Sequence, residues 1–403
     1  MKGYDVIIIG AGISGLSLAH YCAGAGLSTL VLEKSDRPGG SFHSHGFGGE
    51  ADGFWLELGA HTCYNSYGSF IDIMRDCGIT DRIKARRKVP FKLLVDSQLK
   101  SIPSRLDFME LLFSVPRMFR VKKQGETMES YYSKIMGRTN YLRVFGPVFN
   151  AIISQRANDF PADALFKKRP HRKDVLKSFT FKEGLSTLTD AIAAQPDITL
   201  VTGHDVRSVN FSGGHYFIGT ENGGFQSKYL AVATPPPPAA ALLKDAFPEL
   251  SARLSLIKVG NVETVGAVLK KDAVQLPQMA GIIAVDDFFF SSVTRDTVSD
   301  ERYRGFAFHF KPGMYSLDKK LERMGQVLRV DPAMFLQTVE KNDNFVPSLT
   351  LGHDSWVKET DKFLSGKTLY LTGNYFSGVA IEDCVSRSKA EFERMQGPGS
   401  SQG

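Results

Sequence analysis

The chain has 403 residues, 42% hydrophobic and 23% charged, the balance of a folded globular protein, which excludes collagen-like, coiled-coil and wholly disordered architectures. At roughly 150 residues per domain, this length predicts two to three domains with real cores. Lys+Arg 49 against Asp+Glu 43 leaves a formal charge of +6, too small and too dispersed to predict a nucleic-acid partner.

Met1-Lys2-Gly3-Tyr4-Asp5 leads into an apolar run shorter than the core of an export signal, so no export is expected. Val6-Ile7-Ile8-Ile9 is a β-branched run, the mark of a strand buried on both faces. Residues 14–25 carry small and apolar positions at helical spacing, and Ser28 to Leu32 predicts a second buried strand, completing one βαβ unit. Residues 84–175 turn basic and rich in Phe and Met, and predict a helical insertion with few strands. A small meander is predicted over 198–233, stopped by the prolines 235–238. Val262 to Leu269 and Arg304 to Phe310 read as strands and 318–342 as helix; a short strand at Thr368 to Leu371 and a helix from about Asp383 to Met395 follow. The tail 397–403 is predicted to be disordered.

Cys22, Cys63, Cys77 and Cys384 form no CxxC pair and have no histidine at ligand spacing. No metal site and no disulfide framework are expected, and a reducing, cytoplasmic setting fits. No stretch approaches the roughly 20 apolar residues that span a bilayer, so any membrane contact is peripheral.

Gly10-Ala11-Gly12-Ile13-Ser14-Gly15 matches GxGxxG between a buried strand and a helix, and Glu33 closes the second strand. That context predicts a dinucleotide site: a tight turn at Gly10, backbone close to a pyrophosphate at Gly12, helix–strand packing at Gly15, and free helix amides for the phosphates. Glu33, followed by Lys34, would accept hydrogen bonds from a ribose diol and repel the extra phosphate of NADP.

Arg37-Pro38-Gly39-Gly40-Ser41 and Glu57-Leu58-Gly59-Ala60-His61 follow. With these segments the chain resembles the flavoprotein family of amine oxidases, phytoene desaturases and protoporphyrinogen oxidases, whose nucleotide motif extends through the acidic residue to an R-x-G-G segment. The resemblance implies FAD, with contacts at Gly40, Ser41, Gly59, Ala60 and His61. It also implies a backbone contact of Val206 with the adenine. Gly373-Asn374-Tyr375-Phe376-Ser377-Gly378-Val379-Ala380-Ile381-Glu382-Asp383-Cys384-Val385 resembles the second flavin-contact motif of protoporphyrinogen oxidases, implying contacts from Gly373, Asn374, Val379, Ala380 and Ile381.

The implied fold is α/β (α+β): a discontinuous Rossmann-like FAD-binding domain from 1–84, 175–235 and 351–396, a mixed-sheet substrate domain over 236–350, and a helical, membrane-binding or core-forming insertion over 85–174. Leu99-Lys100-Ser101-Ile102-Pro103, Phe181 to Leu188, and Val346-Pro347 with Gly352-His353 also resemble protoporphyrinogen oxidase. The expected reaction is oxidation of protoporphyrinogen IX, in haem biosynthesis, by hydride transfer to the flavin, with oxygen or another acceptor reoxidising it. A propionate of this tetrapyrrole would be met by Lys92, near the position where some relatives carry arginine. No residue is assigned as catalytic base. An amine or polyene substrate, a non-redox flavoenzyme of the UDP-galactopyranose mutase kind, a flavin binder without turnover, and a homodimer stay open. For Ser104 to Lys123, where Phe, Met and Leu interleave with Arg and Lys, two readings remain: a peripheral contact with an anionic inner membrane, or helical core roofing a substrate cavity.

Overall fold

The computed structural model describes residues 2–397; of the tail predicted to be disordered, all but Gly397 lies outside the described residues. Strand Lys2–Ile9 runs parallel between Thr29–Leu32 and Gly223–Val232. Side chains alternate along it, so Val6 and Ile8 enter one apolar core and Ile7 and Ile9 another. Helices Ile13–Gly24, Ser186–Ala193 and Ile381–Gln396 cover the first face, and Pro236–Leu243 and Pro248–Ser255 the second. This is the two-sided burial that the β-branched run demands.

Val206–Ser212, His215–Thr220 and Gly223–Val232 form the antiparallel meander. Ile198–Val201, expected within it, instead extends the parallel side by pairing with Thr29–Leu32. The end of Gly223–Val232 takes Leu369–Leu371 as a further parallel neighbour. The proline run does end the strand, and it also begins a helix, Pro235 being the cap and Pro236 the first helical residue, where a missing N–H costs nothing.

A second, mixed sheet has the order Gln337–Pro347, Val259–Lys270, Tyr303–Phe310, Phe289–Thr294, Gly281–Ala284, Phe91–Val95, Gln98–Ser101. Helix Leu317–Leu328 packs on one face of it. Two expectations change here. The helix expected over 318–342 stops at Leu328, where Arg329 turns left-handed (φ 59°) ahead of Asp331-Pro332, and Gln337–Pro347 becomes a strand paired with Val259–Lys270. The predicted helical stretch also contains a hairpin, Phe91–Val95 with Gln98–Ser101, whose turn residues Asp96 and Ser97 both take positive φ. Its turn lacks the Asn-Gly or Asp-Gly pair that advertises such a hairpin.

The helical part of the insertion includes Phe108–Ser114, Met128–Met136 and Gly146–Ile153. The last two share a core with Tyr141 and Phe160. Phe108–Ser114 and the turn Val115–Phe119 do not: Phe113 is 71% and Phe119 83% exposed. Among the described residues no helix is long and apolar enough to cross a membrane.

Candidate active site

The glycine corner is built by contact. A Cβ on Gly15 would fall inside the van der Waals shell of the Gly10 carbonyl oxygen, whereas a Cβ on Gly12 would point into space with nothing within 4 Å. Gly12 caps helix Ile13–Gly24, which has no side-chain cap and no acidic residue in its first turn. The amide-rich end of the helix is therefore left for an anion. Beside it, Thr234 packs its methyl against the Gly10 position and keeps its hydroxyl buried without a partner.

Glu33 stands at this corner, its carboxylate accepting from the Ala11 amide at 2.8 Å and the Ser35 amide at 2.9 Å. Lys34 next to it is exposed. The His204 amide donates to the Glu33 carbonyl at 2.9 Å, which brings the buried Val206 to the same end of the sheet.

The Gly39-Gly40 turn docks on the corner through the Gly39 amide, 2.8 Å from the Ala11 carbonyl. Arg37 holds that turn by donating to the carbonyls of Pro38, Gly40 and Phe42. Ser41 accepts from the Ala60 amide at 2.9 Å, and Gly59 passes so close to the Ser41 carbonyl that no Cβ fits. His61 then leans on the Gly59 carbonyl at 3.3 Å.

Gly373, Asn374, Val379, Ala380 and Ile381 form the loop before helix Ile381–Gln396 and its first residue. The Ser388 hydroxyl ties this unit to the corner, bonding the Ser14 carbonyl at 2.7 Å and the Thr372 hydroxyl at 2.8 Å. Asp383, in the first turn of that helix, is held by Arg169 at 2.6 Å. The sequence-predicted cofactor residues thus meet at one end of the parallel sheet. Open space at Gly12, a bare helix end, an unpartnered buried hydroxyl and an acidic acceptor make a set that fits a dinucleotide, and these residues would hold one.

Leu56 to His61 lies between the two sheets, Leu56 and Leu58 packing on Val268 and Ala307 of the mixed sheet. There, three strands contribute a buried polar cluster that sequence reasoning missed. The Asn344 amide donates to the Leu58 carbonyl at 3.2 Å and to the Thr264 hydroxyl at 3.0 Å, and that hydroxyl lies 3.0 Å from His309 Nδ1. Burial pulls His309 down to about 3; burial, then the nearby Arg86, pull His61 down to about 4. Both imidazoles are neutral at pH 7. Only sheet register, not spacing along the chain, aligns Thr264 with His309.

Lys92 stands apart. It is half-buried on Phe91–Val95, and alternation puts it on the side of Leu94, which faces the core under helix Leu317–Leu328. The polar cluster lies on the other face, and the structure does not bring Lys92 to it.

The family model for flavin containing amine oxidoreductases matches residues 13–291. Among curated proteins, the phytoene desaturase of Narcissus pseudonarcissus is 32% identical over 117 residues, covering 28% of this chain and 19% of that protein, so the chain spans about a fifth of this relative's length. A crystal structure from Exiguobacterium sp. 255-15, of a protein provisionally named a protoporphyrinogen oxidase, matches with a TM-score of 0.78 over 98% of both chains at 17% identity. A fatty acid isomerase from P. acnes matches with a TM-score of 0.73 over 97% of this chain and 98% of its own, at 16% identity. At such identities these two structures speak for the fold alone. With the family match running from the first helix into the mixed sheet, the chain belongs to the flavin containing amine oxidoreductases, and its cofactor is FAD.

Proposed function

We propose that this chain oxidises protoporphyrinogen IX to protoporphyrin IX and takes that apolar substrate from the surface of the inner membrane, on its cytoplasmic side. The observation that carries this reading is the outer face of the insertion. Phe108, Met109, Leu112, Phe113, Met118 and Phe119 all lie exposed there, interleaved with Arg117, Arg120 and Lys122. A soluble roof over a cavity would turn those rings inward; an interfacial helix turns them out, with cations toward anionic headgroups. The resemblance of Gly373 to Val385 to protoporphyrinogen oxidases supports the tetrapyrrole in particular.

FAD held at the glycine corner would supply a two-electron hydride acceptor that oxygen or another acceptor can reoxidise, and the six electrons this substrate gives up correspond to three such transfers. The chain's own part is to position the substrate against the Gly59 to His61 segment and to keep water out. The neutral His61 and His309 place no fixed charge beside an apolar ring. A polyene is the second reading, favoured by the match to phytoene desaturase.

Mixing the purified holoenzyme anaerobically with protoporphyrinogen should bleach the flavin absorbance. Bleaching by a polyene or an amine instead would overturn the tetrapyrrole assignment, and no bleaching by any of them would overturn the redox reading. The membrane half has its own check. Binding to vesicles should require anionic lipid and fall with salt, and replacing Phe113 and Phe119 by serine should weaken it several-fold at unchanged flavin content. Equal binding to neutral vesicles, or none, would count against it.

A further inference from the structure

The polar cluster between the two sheets is not satisfied from within. Thr264 is fully buried, and His309 and Asn344 are each 7% exposed. Thr264 shares a face of its strand with Gly266, two residues on, and there the chain presses so closely that a Cβ on Gly266 would lie 2.8 Å from Leu58 Cδ2. Leu58 leads directly into Gly59, Ala60 and His61, and His61 is near enough to add to the downward pull on His309. The cluster therefore lies against the segment whose residues the resemblance gives to the flavin.

The direction of the hydrogen bonds fixes the state of the His309 ring. The Leu58 carbonyl can only accept, so the Asn344 atom 3.2 Å from it is the amide nitrogen, and the same nitrogen donates to the Thr264 hydroxyl at 3.0 Å. Thr264 Oγ1 has one proton of its own and one further neighbour, His309 Nδ1 at 3.0 Å. If Nδ1 carried the hydrogen, Oγ1 would accept twice and its proton would be buried without an acceptor, an arrangement that burial penalises. Nδ1 is therefore the acceptor, and the neutral ring carries its hydrogen on Nε2. That N–H makes no hydrogen bond among the described residues, and Asn344 Oδ1 is buried without a partner. One donor and one acceptor are thus left open in a buried site, the signature of a missing ligand group.

We propose that His309 donates a hydrogen bond from Nε2–H to the ring of the bound flavin, and that Thr264 and Asn344 are positioning residues that hold it in this tautomer. The flavin ring has the complementary groups: carbonyl oxygens and ring nitrogens that accept, and an N–H for Asn344 Oδ1. Its accepting edge gains negative charge on reduction, and a donor already aimed at that edge favours the reduced form. A neutral donor does so without a fixed charge beside an apolar substrate. The assignment concerns the cofactor and holds for whichever substrate is oxidised.

The midpoint potential of the holoenzyme at pH 7, measured by reduction against a reference dye, is the test. His309→Leu should move the reduction equilibrium about tenfold toward the oxidised flavin, about 30 mV lower for a two-electron couple. Thr264→Val, equal in shape but without the hydroxyl, should move it the same way by a smaller factor, because the tautomer is no longer held. Thr264→Ser, which keeps the hydroxyl, should stay within about twofold of wild type. Flavin content and melting temperature, measured alongside, identify a variant that fails to fold; if His309→Leu does, the Thr264→Val and Thr264→Ser pair carries the test. A wild-type potential in folded His309→Leu, or a raised one, would overturn the donor, and a wild-type potential in folded Thr264→Val would overturn the part given to Thr264. A lowered melting temperature at unchanged potential would show a merely structural cluster. Bleaching by protoporphyrinogen decides the substrate reading separately, so either reading can fall while the other stands.

Discussion

Glu33→Arg protein should purify without the yellow colour of the wild type, with its flavin content down tenfold or more. The carboxylate accepts from the amides of Ala11 and Ser35 and stands at the glycine corner. A guanidinium accepts nothing, so the change removes two charge-assisted hydrogen bonds, each contributing about 1.5–3 kcal/mol. It also removes the acceptor intended for the ribose, and sets a cation against amides that already carry the positive end of a helix. Glu33→Gln, which keeps an acceptor oxygen, should retain much more flavin. Visible absorbance per mole of protein checks both. An arginine variant with wild-type flavin content would show that Glu33 has no part in holding the cofactor.

Asp296→Ala should lower the unfolding free energy by about 3–5 kcal/mol, the cost of stranding a buried charge. Asp296 and Arg304 are both almost fully buried, with Arg304 Nη2 2.5 Å and Nε 3.0 Å from the two carboxylate oxygens. Arg304 also donates to the carbonyls of Val274, Leu276 and Pro277, and Asp296 accepts from the Met279 amide. The pair therefore fastens the 274–279 connection onto the mixed sheet. Adding Arg304→Met to Asp296→Ala should recover part of the loss, because the stranded charge goes with it. Denaturant titration of the single and double variants measures this; a single variant within about 1 kcal/mol of wild type would show that the pair contributes little.

What the sequence reveals of this molecule follows the range of the interactions involved. Val6 to Ile9 and the glycine corner are legible because strand burial and a strand–turn–helix junction are written in consecutive residues. The same holds for Glu33, Gly59 and the loop before Ile381, each recognisable from its neighbours. Thr264, His309 and Asn344 are not, since they meet only through the pairing of strands that lie far apart in the chain. The misreading of 318–342 has a local cause: apolar positions at helical spacing persist past Leu328, and that pattern outweighed Asp331-Pro332, which already marked the stop. Lys92 shows the converse limit. Its place beside Leu93-Leu94-Val95 suggested a site, but on a strand one residue of offset decides which face a side chain joins.

The Ser388 tether has a further meaning for how the molecule is made. Its hydroxyl joins residues separated by 374 positions, which at about 5–20 residues per second is roughly 20–75 s of synthesis. Throughout that interval the first helix exists without the helix that covers it, because Val385 and Met395, which close the same apolar core, have not emerged. The two halves of the nucleotide site are thus separated in time as well as in sequence. Elements that meet across such a distance are also slow to find each other. The glycine corner is therefore closed from this side only after helix Ile381–Gln396 has docked on the first helix.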